Sequence, residues 1–231
     1  GSPLKRIWQF AVPVLFGLLL QQVYSLVDTA IVGRVLGVMA LGGVGATGSV
    51  NFLVIGFCSG LCTGMAIPLA QAFGAGDEQA LRRYVAGCFW NGVALSALLL
   101  AVTLPLCRPL LTAMATPAEQ MDYAFDYIFV IFIGMPATIL YNMCACVLRA
   151  LGDSKSPLRF LAIASGINIV LDLLTVWGLG MGVRGAAIAT VVSQLGSGTL
   201  CLLYMKKHFP ILRMTREDWR FRKEEALRLL G

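Results

Sequence analysis

Apolar residues in this chain come in long, mostly apolar runs, without the alternation of a half-buried strand. Such a run has no polar face to turn toward water, and about 20 apolar residues suffice to cross a bilayer. Six runs qualify: residues 7–34, 41–73, 80–106, 119–150, 157–178 and 184–206. Polar punctuation separates them: G-A-G-D at 74–77, R-P at 108–109 with T-P at 116–117, G-D-S-K-S-P at 152–157 and G-L-G-M-G at 178–182. Open sheets in lipid leave backbone groups unpaired, so the runs are predicted as helices. The expected fold class is an all-α membrane protein, with a bundle of six transmembrane helices over residues 1–208.

Composition agrees with that pattern. Only 13% of the 231 residues are charged, against about 25% in an average soluble domain. The net charge of +6 would suit nucleic acid, but its distribution points elsewhere. Fifteen of the 18 basic residues fall on one side of the six-span arrangement: Lys5, Arg6, Arg82, Arg83, Arg149, Lys155, Arg159 and all those from Lys206 onward. Arg34, Arg108 and Arg184 fall on the other. The positive-inside rule then places both ends in the cytoplasm and removes nucleic acid as a partner. The first apolar run is too long for a secretory signal and lacks a small-residue cleavage site. All seven cysteines read as small buried apolar residues, and His208 as an interfacial side chain. No metal site is assigned to them, no cofactor is expected, and nothing reads as an enzyme.

Within the spans, Gly56, Gly60 and Gly64 repeat every four residues and predict a close helix approach. Pro13, Pro68 and Pro136 interrupt the first, second and fourth spans, and each removes a backbone hydrogen bond. The segment 209–231 differs in kind. Thr215 with Asp218 has the spacing of a helix N-cap, and Trp219, Phe221, Ala226, Leu227 and Leu230 predict an amphipathic helix along the cytoplasmic surface.

Of twelve acids, nine lie in loops, in the tail or at the first turn of a span. Asp126 sits near the outer end of the fourth span, within reach of water. Asp28 and Asp172 remain, and a charge at mid-bilayer costs at least about 2.5 kcal/mol, so such residues face an interior cavity. At about 1.5 Å per residue, Asp28, Asp172 and Thr190 each lie some six residues from the outer end of their helices, with Asn168 one turn deeper. Three helices thus bring two carboxylates, an amide and a hydroxyl to one level. These hard oxygen ligands suit Na⁺. Alternatively, the two acids share a proton, or the four groups only hydrogen-bond the helices together.

The chain resembles the multidrug and toxic compound extrusion (MATE) transporters over essentially its whole length. The resemblance rests on Q-Q-V-Y-S-L-V-Asp28-T-A-I-V-G-R, P-L-A-Q-A-F-Gly74-A-G-D, L-R-A-L-Gly152-D-S-K-S-P and G-V-R-G-A-A-I-A-Thr190-V-V-S-Q, in this order. It implies one N-terminal lobe of a twelve-helix antiporter, with 209–231 as the inter-lobe linker and the second lobe absent. The whole would export cationic or amphiphilic drug-like compounds against Na⁺ or H⁺, from a bacterial or archaeal plasma membrane. The family's cation site would fall on Asp28, Asn168, Asp172 and Thr190. The acid at 172 makes the chain look like the prokaryotic DinF-like branch, and Pro13 matches the family's hinge proline.

Gln21, Tyr24, Asn51, Met65, Tyr141 and Asn142 are the candidate lining of a substrate cavity. A flippase for lipid-linked or polysaccharide precursors is the alternative within the same superfamily. An intramembrane aspartyl protease is disfavoured, because Leu151-Gly152-Asp153 lies in a loop and no G-x-G-D motif accompanies the acids. A membrane subunit without transport is the remaining class.

Overall fold

Each apolar run becomes helix, the element that satisfies all its backbone groups within one segment. The structure is a computed structural model that describes residues 3–215, 218, 219 and 229. Helix α1 spans Pro3–Leu36, α2 Val38–Gly74, α3 Glu78–Ala113 and α4 Ala118–Ile133. Helix α5 spans Met135–Ala150, α6 Lys155–Asp172 and α7 Gly182–His208. A π-helical turn, Leu173–Gly178, continues α6, and a 3-10 turn, Pro210–Leu212, follows α7. The fourth run is a broken span, with α4 and α5 meeting at a 48° bend. Counting that pair once, six units among the described residues are long and apolar enough to cross a membrane.

The break lies at Gly134, and Pro136 sits in the first turn of α5. The fourth span is thus interrupted where Pro136 is expected to interrupt it, and the ring sits at the start of the second half, where its missing N–H is tolerated. Helices α1 and α2 run through Pro13 and Pro68 without a break. The glycine expectation is corrected as well. Gly56, Gly60 and Gly64 have nothing within 4 Å of where a Cβ would stand, so their face meets no helix among the described residues. Close approaches occur instead at Gly43, where a Cβ would lie 2.6 Å from Tyr123 Cβ, and at Gly134, where it would collide with Val191.

Two apolar clusters fill the bundle. Leu69, Leu81, Ile139, Leu148 and Cys201 belong to the cluster nearer the chain ends. Val32, Leu111, Ile128, Phe132 and Val176 belong to the one nearer the opposite end. Helix α7 packs against both α5 and α6, and α1 lies mainly along α6. This arrangement leaves a layer between the clusters where α1, α6 and α7 face one another. At the opposite end, Arg184 at the start of α7 holds Asp126 of α4 at 2.7 Å, and Arg108 of α3 approaches Asp122 at 3.6 Å.

The turn from α5 to α6 needs Gly152, whose φ of +87° an L side chain rarely adopts. Asp153 then caps α6: its Oδ1 accepts the N–H groups of Ser156 at 3.0 Å and Lys155 at 3.2 Å. Partial burial pulls the Asp153 pKa upward, but hydrogen bonds from Ser156, Tyr204 and Lys155 outweigh it and leave the pKa below the usual value. A depressed carboxyl stabilises the fold above its unfolded pKa and ceases to do so as the pH falls through the folded one. Asp153→Ala is therefore expected to cost about 1 kcal/mol, the usual worth of an N-terminal cap. Thermal unfolding should show the same loss at neutral and mildly acidic pH, and a shrinking loss only below about pH 4.

Beyond α7, Asp218 Oδ2 accepts both the backbone N–H and the hydroxyl of Thr215, each at 2.8 Å. Trp219 packs its ring 5.9 Å from Phe89 of α3 at a tilt of 51°, and its carbonyl accepts the Trp90 indole N–H at 3.0 Å. The expected helix over 215–230 otherwise lies outside the described residues.

Candidate cation site

Asp28 is on α1, Asn168 and Asp172 are one turn apart on α6, and Thr190 is on α7. The structure brings the four to the layer between the two apolar clusters. Asp172 is 0% exposed, Asn168 1% and Asp28 4%. The Asp28 and Asp172 carboxyls lie close enough to feel each other's charge. Thr190 lines two small voids, one of ≈ 60 Å³ shared with Asp28 and one of ≈ 10 Å³ shared with Asn168. The smaller is about the size that holds one water, and the larger takes a few waters or a partly hydrated ion.

The polar bookkeeping of this layer is incomplete in a telling way. Among the described residues, no protein group bonds Asp28 Oδ1, either Asp172 oxygen, either Asn168 side-chain atom or the Thr190 hydroxyl. Buried polar atoms are ordinarily paired, and a buried carboxylate without a donor is far more costly than a neutral group. Five oxygens and one amide nitrogen left open in one place therefore ask for a cation, a proton or water. Immediately after Asp172, α6 widens into the π-helical turn, a feature that in helices often marks functional positions. Its Thr175 hydroxyl bonds back to Leu171 O at 2.8 Å.

Two further residues belong to this layer and were not assigned from the sequence. Tyr127 of α4 donates its hydroxyl to Asp28 Oδ2 at 3.4 Å. Gln194, one turn beyond Thr190, donates to the Tyr24 hydroxyl at 3.4 Å. The spacing that pairs Asn168 with Asp172 also pairs Thr190 with Gln194, so that signal was present.

A family profile, MatE, matches residues 13–174. The chain belongs to the MatE family. Among curated relatives, "Probable multidrug resistance protein YpnP" of Bacillus subtilis (strain 168) is 34% identical over 220 residues, covering 94% of this chain and 49% of its own length. "DNA damage-inducible protein F" of Escherichia coli (strain K12) is 29% identical over 232 residues, covering 96% and 50%. A solved structure described as "Crystal structure of MATE in the bent conformation" matches with a TM-score of 0.91 and 27% identity, covering 100% of this chain and 51% of that one. The chain spans about half the length of the relatives it matches.

The candidate substrate residues of this MatE chain divide into three groups. Gln21, Tyr141 and Asn142 line a larger cavity of ≈ 310 Å³, together with Pro13. Tyr24 and Asn51 line the ≈ 60 Å³ void beside Asp28. Met65 is corrected: it is 2% exposed and packs in the apolar cluster with Cys62, Leu69, Cys88 and Met143. Cys58, Cys62, Met65, Leu69 and Ala72 form one core-facing stripe at helical spacing on α2, so Met65 has no room to face a ligand.

Proposed function

We propose that this MatE chain is the N-terminal lobe of a secondary active multidrug antiporter, exporting cationic or amphiphilic compounds in exchange for Na⁺ or H⁺. The observation that carries the reading is the pair of buried carboxyls, Asp28 and Asp172, with no donor on Asp172 among the described residues. A cation entering the layer meets both acids, the Asn168 amide oxygen and the Thr190 hydroxyl; a proton would neutralise one acid of the pair. Either event changes the charge on α1, the helix that also carries Pro13. The Pro13 ring leaves the Gln9 carbonyl without its helical donor, which makes that turn the easiest place for α1 to bend. Site occupancy and the shape of the ≈ 310 Å³ cavity, which Pro13 lines, are then coupled through one helix.

Passage in this reading takes place between two lobes, joined by the linker at 209–231. The coverage of half the relatives' length supports a second lobe, and so does the uncovered Gly56, Gly60, Gly64 face. The charge asymmetry supports cytoplasmic chain ends in a bacterial or archaeal plasma membrane. Single cysteines replacing Ala75 and Lys155 should then react with a membrane-impermeant maleimide only from the cytoplasm, and those replacing Met114 and Leu179 only from outside. Inverted labelling of either pair would reverse the exchange direction. The activity itself is tested by expressing the full-length gene in drug-sensitive cells and collapsing the Na⁺ and H⁺ gradients separately. Export that survives the loss of both gradients refutes the antiport reading.

A further inference from the structure

The ≈ 310 Å³ cavity lies away from the carboxylate layer, in the half nearer the chain ends, and its polarity is opposite. Arg149, near the end of α5, is on its lining, and no carboxylate is. Among the described residues no acid lies within salt-bridge range of that guanidinium; its one bonded partner is the Cys146 sulfur, 3.1 Å from Nη2. A thiol is a weak acceptor, and a guanidinium has five N–H donors arranged to suit a carboxylate or phosphate. Three of the neighbouring hydroxyls already place their hydrogens elsewhere. Ser59 donates to Asn142 Oδ1 at 3.0 Å, Thr63 to Ser59 O at 2.8 Å and Tyr141 to Pro157 O at 3.3 Å. The Asn142 amide donates to Thr138 O at 2.9 Å. Opposite these groups, Val14, Leu18, Leu158 and Leu161 supply an apolar wall. The volume is at the lower end of the range for small-molecule sites.

We propose that this cavity binds the acidic headgroup of an amphiphile, carboxylate or phosphate, on Arg149, with the alkyl part along the α1–α6 wall. The assignment rests on the transport reading for its biological use but not for its chemistry. It also narrows the substrate class, since a purely cationic compound would meet Arg149 unfavourably.

The test uses the natural full-length protein in phosphatidylcholine nanodiscs, with 11-(dansylamino)undecanoic acid and its methyl ester as probes. The acid should bind at least tenfold more tightly than the ester. Arg149→Gln should erase that preference, while Arg149→Lys retains part of it by keeping the charge. Gly17→Leu, which fills the cavity from α1 with Arg149 intact, should weaken both probes and decides the matter if Arg149→Gln does not fold. Repeating the measurement in phosphatidylglycerol nanodiscs identifies the source. A tenfold loss of acid binding there assigns the site to a lipid phosphate, and unchanged binding assigns it to a free amphiphile. Equal binding of acid and ester by the wild type overturns the proposal, as does a preference that survives in folded Arg149→Gln or binding that Gly17→Leu leaves untouched. Gradient-driven export of the dansyl acid itself, measured in proteoliposomes, separates the two readings. Export without acid preference sinks the anion site alone, and acid preference without export sinks only the antiporter.

Discussion

Asp172→Asn is expected to abolish gradient-coupled export and to leave the protein folded. The change keeps size and shape and removes one charge from a position that is 0% exposed. Among the described residues neither Asp172 oxygen has a donor, so no hydrogen bond is lost, and removing an unpaired buried charge relieves desolvation. Thermal stability without cation should therefore hold or rise slightly. The cation response should vanish. A ligand present at about 100 times its Kd adds about 2.7 kcal/mol to a folded protein, and that Na⁺-dependent stabilisation is absent from the variant if Na⁺ is the coupling ion. Asn168→Ala, which removes one oxygen ligand from the same face of α6, should weaken the response without eliminating it. The opposite pattern, with lower melting temperatures in both variants and an unchanged ion dependence, would mean that the acids only tie helices together.

Much of this arrangement could be read from the chain because lipid restricts it so strongly. Runs of apolar residues have one way to satisfy their backbone, which is why six spans and their punctuation are legible without any contact information. Depth is legible too, since rise per residue is nearly constant along a helix. That regularity alone puts Asp28, Asp172 and Thr190 at one level. What depth leaves open is azimuth, the direction in which a residue faces. Tyr127 shows the limit: its neighbour Asp126 turns toward Arg184 at the bundle's end, while Tyr127 itself turns inward to Asp28. Met65 shows the same limit, since its chemistry suits a pocket while its helical register places it in the core.

Glycines show the other limit of a sequence reading. A regular four-residue stripe says that a face is small, not that anything covers it. Gly56, Gly60 and Gly64 stand clear of every described neighbour, while the tight crossings use Gly43, Gly92, Gly134 and Gly198, which follow no common period. Their partners come from other helices, and only the fold supplies them. The bend at Gly134 and the π-helical turn after Asp172 belong to the same class, because both lie against α7.

Gly134→Ala tests that dependence where it bears on the site. Gly134 has an ordinary helical φ of −79°, so alanine is acceptable to the backbone and would normally raise helix propensity. The obstacle is Val191, whose side chain occupies the space where the new methyl must go. Overpacking of this kind costs about 1–3 kcal/mol, which outweighs the propensity gain of up to about 1 kcal/mol. Val191 is the residue after Thr190, so displacing it also shifts the hydroxyl that lines both voids of the carboxylate layer. The variant should melt earlier and lose part of its cation-dependent stabilisation. Val191→Ala in the same chain should restore much of both, because it vacates the volume the methyl requires, and the coupling energy from the double-mutant cycle should be favourable by at least about 0.5 kcal/mol. Strictly additive effects of the two substitutions would show that α7 does not rest on Gly134, and that the position of Thr190 is set elsewhere.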